Sequence, residues 1–192
     1  MAPRPSVTGR LIDAARQSPA ASGLPAASEL PGRVVVIGYG NGLRGDDAVG
    51  REVVEALWLQ RDRLSLLRTA DFLIATQLTP EMAEEVASAA YAVFVDAALD
   101  GHPAGSVTVR FLQPAATPGM GTTCFSDLTP EGLLYMALEL YGRAPDAALV
   151  TVSVANCAAG TDLSPLVRAS VPIAVASAQM AIARHSLGHH TR

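Results

Sequence analysis

Three aspartates carry the chemistry for which this sequence can be read. Asp46 and Asp47 follow the apolar run Arg33-Val-Val-Val-Ile37 across a glycine-rich loop, and Asp96 ends the run Tyr91-Ala-Val-Phe-Val95. Carboxylate oxygens brought together from two such loops can hold a divalent metal. Two carboxylates close enough to share a proton can also act as acid and base. Each aspartate has an ordinary structural role as well. Asp is favoured at the N-cap and in the first turn of a helix, contributing about 0.5–2 kcal/mol. Asp46 and Asp47 stand just before a helical pattern, so one of them suffices for the cap and the other is available to point into a crevice. A strand-end Asp such as Asp96 caps a turn.

The loop itself, Gly40-Asn-Gly-Leu-Arg-Gly45, fits G-x-G-x-x-G between a strand and a helix, the spacing of a dinucleotide site. The charges argue against a nucleotide. A phosphate at the helix N-terminus would meet Asp46 and Asp47, and no clean acid ends the second strand about 20 residues on, Asp71 being the nearest candidate and lying late. Arg44 reads as a solvated loop cation, or as a partner for Asp46 or for a substrate carboxylate. Ser126 has no G-x-S-x-G elbow around it. Cys157 reads as a small buried hydrophobe, and His189-His190 as a solvated terminal pair.

Positioning these groups requires strands that end where the aspartates begin. Strands are predicted over 33–37, 64–67, 91–95, 106–112 (alternating, half-buried) and 149–154. Helices are predicted over 48–59, with Val49, Val53, Ala56 and Leu57 on one face, over 80–89 with Thr79 as N-cap, and over 129–141 with Pro130 in the first turn and Gly142 past the end. A final helix covers 164–186, with Val167, Val171, Val175 and Met180 on an apolar side. Strands alternating with helices predict an α/β fold, a three-layer αβα sandwich around a mostly parallel sheet. Ligands bind beyond the carboxyl ends of such strands. The domain plan is a flexible N-terminal extension over 1–32, with a short helix within 8–17, one α/β domain over 33–186, and a polar tail over 187–192. Gly119, Gly121 and Pro118 mark 114–123 as a flexible loop near the site.

Composition narrows the function classes. The 192 residues are 49% hydrophobic and 17% charged, with a net charge of −4, so the chain can bury a core and lacks the basic surplus of a nucleic-acid binder. Two cysteines, Cys124 and Cys157, make no disulfide framework and suit a reduced, cytoplasmic setting. The apolar runs read as shorter than the roughly 20 residues of a membrane span, so no membrane insertion is expected.

The segment Gly38-Tyr-Gly-Asn-Gly-Leu-Arg-Gly-Asp-Asp-Ala-Val-Gly50 resembles the N-terminal motif of the [NiFe]-hydrogenase maturation endopeptidases, G-x-G-N-x-L-x-x-D-[DE]-x-x-G between a strand and a helix. Gln77-Leu-Thr-Pro-Glu81, Val93-Phe-Val-Asp-Ala97, and Val150-Thr-Val followed by Gly160-Thr-Asp-Leu-Ser-Pro165 are similar to the same family, extending the resemblance over residues 33–183. The resemblance implies an endopeptidase that removes a C-terminal extension from the hydrogenase large-subunit precursor once nickel has been inserted. The nickel comes with that substrate. By position, Asp47 and Asp96 take the catalytic and metal-binding places, with Asp46 beside Asp47 capping the helix and holding the loop. Asn41, Arg44 and Asp46 take places against the substrate. The family's histidine does not carry over: Ser126 stands there, with Asp127 next to it, in Thr122-Thr-Cys-Phe-Ser-Asp-Leu-Thr-Pro130. Asp127, Cys124 and His102 are the candidate replacements. A homologue that binds the large subunit as a chaperone without cutting it is the alternative.

Overall fold

The computed structural model describes residues 32–113 and 128–188. The expectations for 1–31, for the 114–123 loop, for Cys124, Ser126 and Asp127, and for His189-His190 lie outside the described residues. Five strands form one sheet in the order β2-β1-β3-β5-β4: β1 (Val34–Tyr39), β2 (Ala70–Ala75), β3 (Tyr91–Ala98), β4 (Val107–Leu112) and β5 (Asp146–Ser153). All neighbours are parallel except β4, which runs antiparallel to β5 at the edge. Four helices cover the sheet: α1 (Val49–Gln60), α2 (Ala83–Ala87), α3 (Pro130–Tyr141) and α4 (Pro165–Gly188). The α/β layering predicted from the alternation is the observed one.

The strands are continuous apolar runs because both faces of the sheet are covered. Val34, Val36, Val93, Val95 and Val150 face α1 and α4, while Val35, Ile37, Ala92, Phe94 and Leu149 face α2 and α3. Arg33 ties the start of β1 to its surroundings, 2.6 Å from Asp71 and 2.7 Å from Glu85. Asp71 is thereby spent in an ion pair near the start of β2, far from where a ribose-binding acid would stand.

Several expectations need correction. The second strand is Ala70–Ala75, and 65–67 is a 3-10 turn whose Leu67 is fully buried. The Leu64-Ser-Leu-Leu67 run is apolar because it plugs the core, whereas Phe72 and Ile74 supply the core-facing side chains of the true strand. The helix predicted over 80–89 is a 3-10 turn at Pro80–Met82 followed by the short α2, and Thr79 gives no side-chain cap. Strand β4 is mostly exposed, because at the sheet edge neither of its faces is fully covered. On α4, Val167 and Val175 are buried but Met180 points outward, since five residues turn a helix about 140° further round. Helix α4 is also long and apolar enough by length and composition to cross a membrane, contrary to the expectation from run lengths, with 44% of its most apolar stretch buried in this fold. Its alanines, valines and isoleucines carry the apolar character, and the serines, Arg168 and Gln179 between them interrupt any conspicuous run.

Helix α3 begins and ends as its sequence dictates. The Thr129 side chain accepts the Gly132 N–H at 3.1 Å, and Gly142 closes the helix in the left-handed region. Thr129→Ala is expected to lower stability by about 1 kcal/mol, measurable as a shift in the urea midpoint with an unchanged slope.

Candidate active site

The site lies at the carboxyl ends of β1 and β3. Asp96 sits inside β3, two residues before its end, rather than at the strand's terminus. Its register partner on β5 is Thr151, and Thr151 is opposite Thr108 on β4. One step beyond the Gly38–Val95 pair, Tyr39 of β1 stands on the other side of Asp96. Parallel and antiparallel partners share a face, so Tyr39, Asp96, Thr151 and Thr108 form a polar row across an otherwise apolar sheet. The two threonine hydroxyls are 2.6 Å apart.

Asp96 is 4% exposed, and its carboxylate accepts the Ala97 N–H at 2.8 Å. Burial pushes its pKa up to about 7. Tyr39 and the Ala97 amide pull in the opposite direction, and the Asp47 carboxylate adds to the rise. The Tyr39 hydroxyl is itself buried beside Asp96 without closing a hydrogen bond of ordinary geometry, and burial raises its pKa well above the usual tyrosine value. Toward α3, Arg110 and Glu131 form an ion pair of 2.6 Å that flanks this row.

Asp47 reaches the same place from the glycine loop. It lies in a 3-10 turn over Gly45–Ala48 that precedes α1, and it is 5% exposed. The Asn41 N–H donates to its Oδ2 at 2.7 Å, and Cys157 Sγ lies 4.0 Å from its Oδ1. The glycines place it. A Cβ on Gly40, whose φ is +135°, would lie 1.9 Å from the Asp47 carbonyl oxygen. A Cβ on Gly50 would lie 2.4 Å from the Val95 carbonyl oxygen and 2.6 Å from that of Tyr39. Glycine there lets the first turn of α1 sit directly on β1 and β3. The glycine spacing therefore serves close backbone packing around Asp47.

Asp46 does not cap α1. Neither the 3-10 turn nor α1 has a side-chain cap, and Asp46 Oδ1 instead accepts the Ser164 N–H at 2.6 Å, just ahead of α4. The loop after β5 completes the clasp: the Gly45 N–H donates to Gly160 at 2.8 Å, and the Gly160 N–H to Leu43 at 3.0 Å. Cys157 is buried, as its reading as a hydrophobe expects, but at the site, because this loop folds back over the glycine loop. The sequence has no spacing signal for that contact, since 110 residues separate Cys157 from Asp47. The Asn41 side chain accepts the Leu43 N–H at 2.9 Å, and Arg44 forms a bridge with Gly160. His102 stays in its own turn, exposed, with Nδ1 3.1 Å from Asp100. Among the described residues, no three His, Cys, Asp or Glu side chains are grouped to hold a metal ion. The described chain thus contributes two carboxylates, and the positions expected to complete the set, Ser126 and Asp127, lie outside it.

This architecture is found in solved structures. The chain is similar to the hydrogenase maturating endopeptidase HybD from Escherichia coli, with 23% identity over 76% of this chain and 88% of that one and a TM-score of 0.59. It is similar to an endopeptidase from Escherichia coli, with 25% identity over 80% and 93% and a TM-score of 0.62. It is also similar to the [NiFe] hydrogenase maturation protease HycI from Thermococcus kodakarensis KOD1, with 23% identity over 78% and 92% and a TM-score of 0.57. The chain has the fold of the hydrogenase maturation endopeptidases. No protein-family model and no curated protein matches its sequence. The fold shared with these endopeptidases agrees with the motif resemblance.

Proposed function

We propose that this chain is a maturation endopeptidase that cleaves the C-terminal extension of a [NiFe]-hydrogenase large-subunit precursor after nickel insertion, in the cytoplasm. The observation that carries the proposal is the convergence of Asp47 and Asp96. Two buried carboxylates, Asp47 from the turn after β1 and Asp96 from within β3, meet at the carboxyl ends of these strands on a fold shared with hydrogenase maturation proteases. The pair fits a cation, because Asp96 is a buried acid whose charged form is destabilised by burial and by Asp47, and a positive charge relieves both effects.

In this reading, the nickel of the assembled precursor is part of the substrate. Asp47 and Asp96 receive it at the strand ends, where it polarises the scissile carbonyl or activates a water. The Asn41 amide and the clasp of Asp46 onto Ser164 hold Asp47 in place before the substrate arrives. The exposed parts of Asn41 and Arg44 face the incoming C-terminal segment, and Ser126 or Asp127 completes the ligand set. The absence of a histidine between His102 and His185 favours a second reading, a homologue that binds the precursor as a chaperone. Imidazole is the ligand better suited to nickel.

Asp47→Ala and Asp96→Ala are each expected to reduce precursor processing below detection, with circular dichroism unchanged. Processing by both variants at the unsubstituted rate would overturn the mechanism.

A further inference from the structure

Helix α4 carries apolar side chains on two opposite sides, with Arg168, Gln179 and Arg184 on its flanks. Apolar sides are normally buried, yet only one of these packs on the sheet, with Val167, Ala174, Ala178 and Ile182 fully buried. The opposite side carries Leu166, Ile173, Met180 and Leu187, which are 63%, 58%, 66% and 72% exposed. They recur every seven residues. Between them stand Ala169, Ala176 and Ala183, also on the outer side. This is an a/d heptad seam with large residues at one position and alanine at the other, about 30 Å long at 1.5 Å per residue.

We propose that this face is where a second copy of the chain docks, with α4 packed antiparallel against its counterpart about a twofold axis. The pattern is self-complementary. Running two such seams in opposite directions sets the leucine, isoleucine and methionine knobs of one helix over the alanines of the other, as an isologous contact requires. The flanking charges are engaged at home, Arg168 with Asp162 at 3.3 Å and Arg184 over the Phe111 ring at 4.2 Å. With these two arginines on its flanks, the seam falls short of the Lys/Arg-rich polar face of a helix that lies on an anionic lipid surface.

Sedimentation velocity of the full chain, from low micromolar to about 100 µM, tests this directly. The expected result is a mass rising toward twice 19.9 kDa and a return to the monomer in Ile173→Glu/Met180→Glu, with unchanged helical circular dichroism. Ala176→Glu, in the middle of the seam, is a second variant with the same expectation should the first fail to fold. A monomer throughout the range, or a dimer insensitive to these substitutions, overturns the proposal. So does flotation of the wild-type chain with phosphatidylcholine vesicles that the variants abolish, since the face would then belong to a membrane.

Discussion

Asp96→Asn is expected to abolish processing and to stabilise the protein at pH 8. Asp96 titrates near 7 in the fold against an ordinary value of 3.8, so the folded chain binds this proton more tightly than the unfolded one. Stability then falls as pH rises from about 4 to about 7, and the whole deficit is present above that window. Three pH units correspond to about 4 kcal/mol. Asn keeps the size of the side chain and its oxygen acceptor for the Ala97 amide while removing the charge. Urea denaturation of the wild type at pH 5 and pH 8 should give a lower midpoint at pH 8. The Asn variant should show little difference between the two and exceed the wild type at pH 8 by up to about 4 kcal/mol. A side chain retained for the fold behaves in the opposite way, so an Asn variant that is less stable at pH 8 would remove Asp96 from the functional site. Loss of activity with gain of stability is the mark of a group kept for chemistry.

Gly50→Ala is expected to be among the most damaging single-methyl changes in the protein. By intrinsic helix propensity, alanine gains up to about 1 kcal/mol over glycine. Here the new methyl would lie 2.4 Å from one backbone carbonyl oxygen and 2.6 Å from another, on the strands that carry Asp96 and Tyr39. Neither backbone can swing aside as a flexible side chain would, so the collision costs about 3 kcal/mol or more and the sign is a net loss. The displaced α1 also carries the turn that holds Asp47, so processing should fall together with the urea midpoint. Gly42→Ala is the control: a Cβ there meets nothing within 4 Å, and both stability and processing should stay at the wild-type level. A neutral Gly50→Ala would show that α1 does not rest on β1 and β3 as closely as described.

Much of this was legible in the sequence, for physical reasons. The β-branched runs at Val34 and Tyr91 could only be strands covered on both sides, and Thr129-Pro130 and Gly142 state the ends of α3 in side-chain chemistry. That Asp47 and Asp96 lie toward the carboxyl ends of two neighbouring strands followed from the same logic, although β3 runs two residues past Asp96 where the sequence reading ended it before. Other features depend on tertiary packing that periodicity does not carry. Leu64 to Leu67 and Phe72 to Ile74 are equally apolar, and only the ladder with β1 selects the second as the strand. Asp46 looks like a local cap but is bound to an amide 118 residues away. Cys157 reads as a core residue and is one, yet its contact with Asp47 exists only because two loops clasp. The outer side of α4 is hard to see in the sequence because Met180 stands only five residues past Val175, yet the helix turn sends it to the opposite side.

The most direct test is to incubate the purified chain with its nickel-loaded large-subunit precursor and to weigh both proteins by mass spectrometry. The account predicts a precursor shortened by one C-terminal peptide, with none released from nickel-free precursor or by the Asp47→Ala and Asp96→Ala variants. A precursor left intact, held in a stable complex with this chain, would contradict cleavage and identify the protein as a binding module.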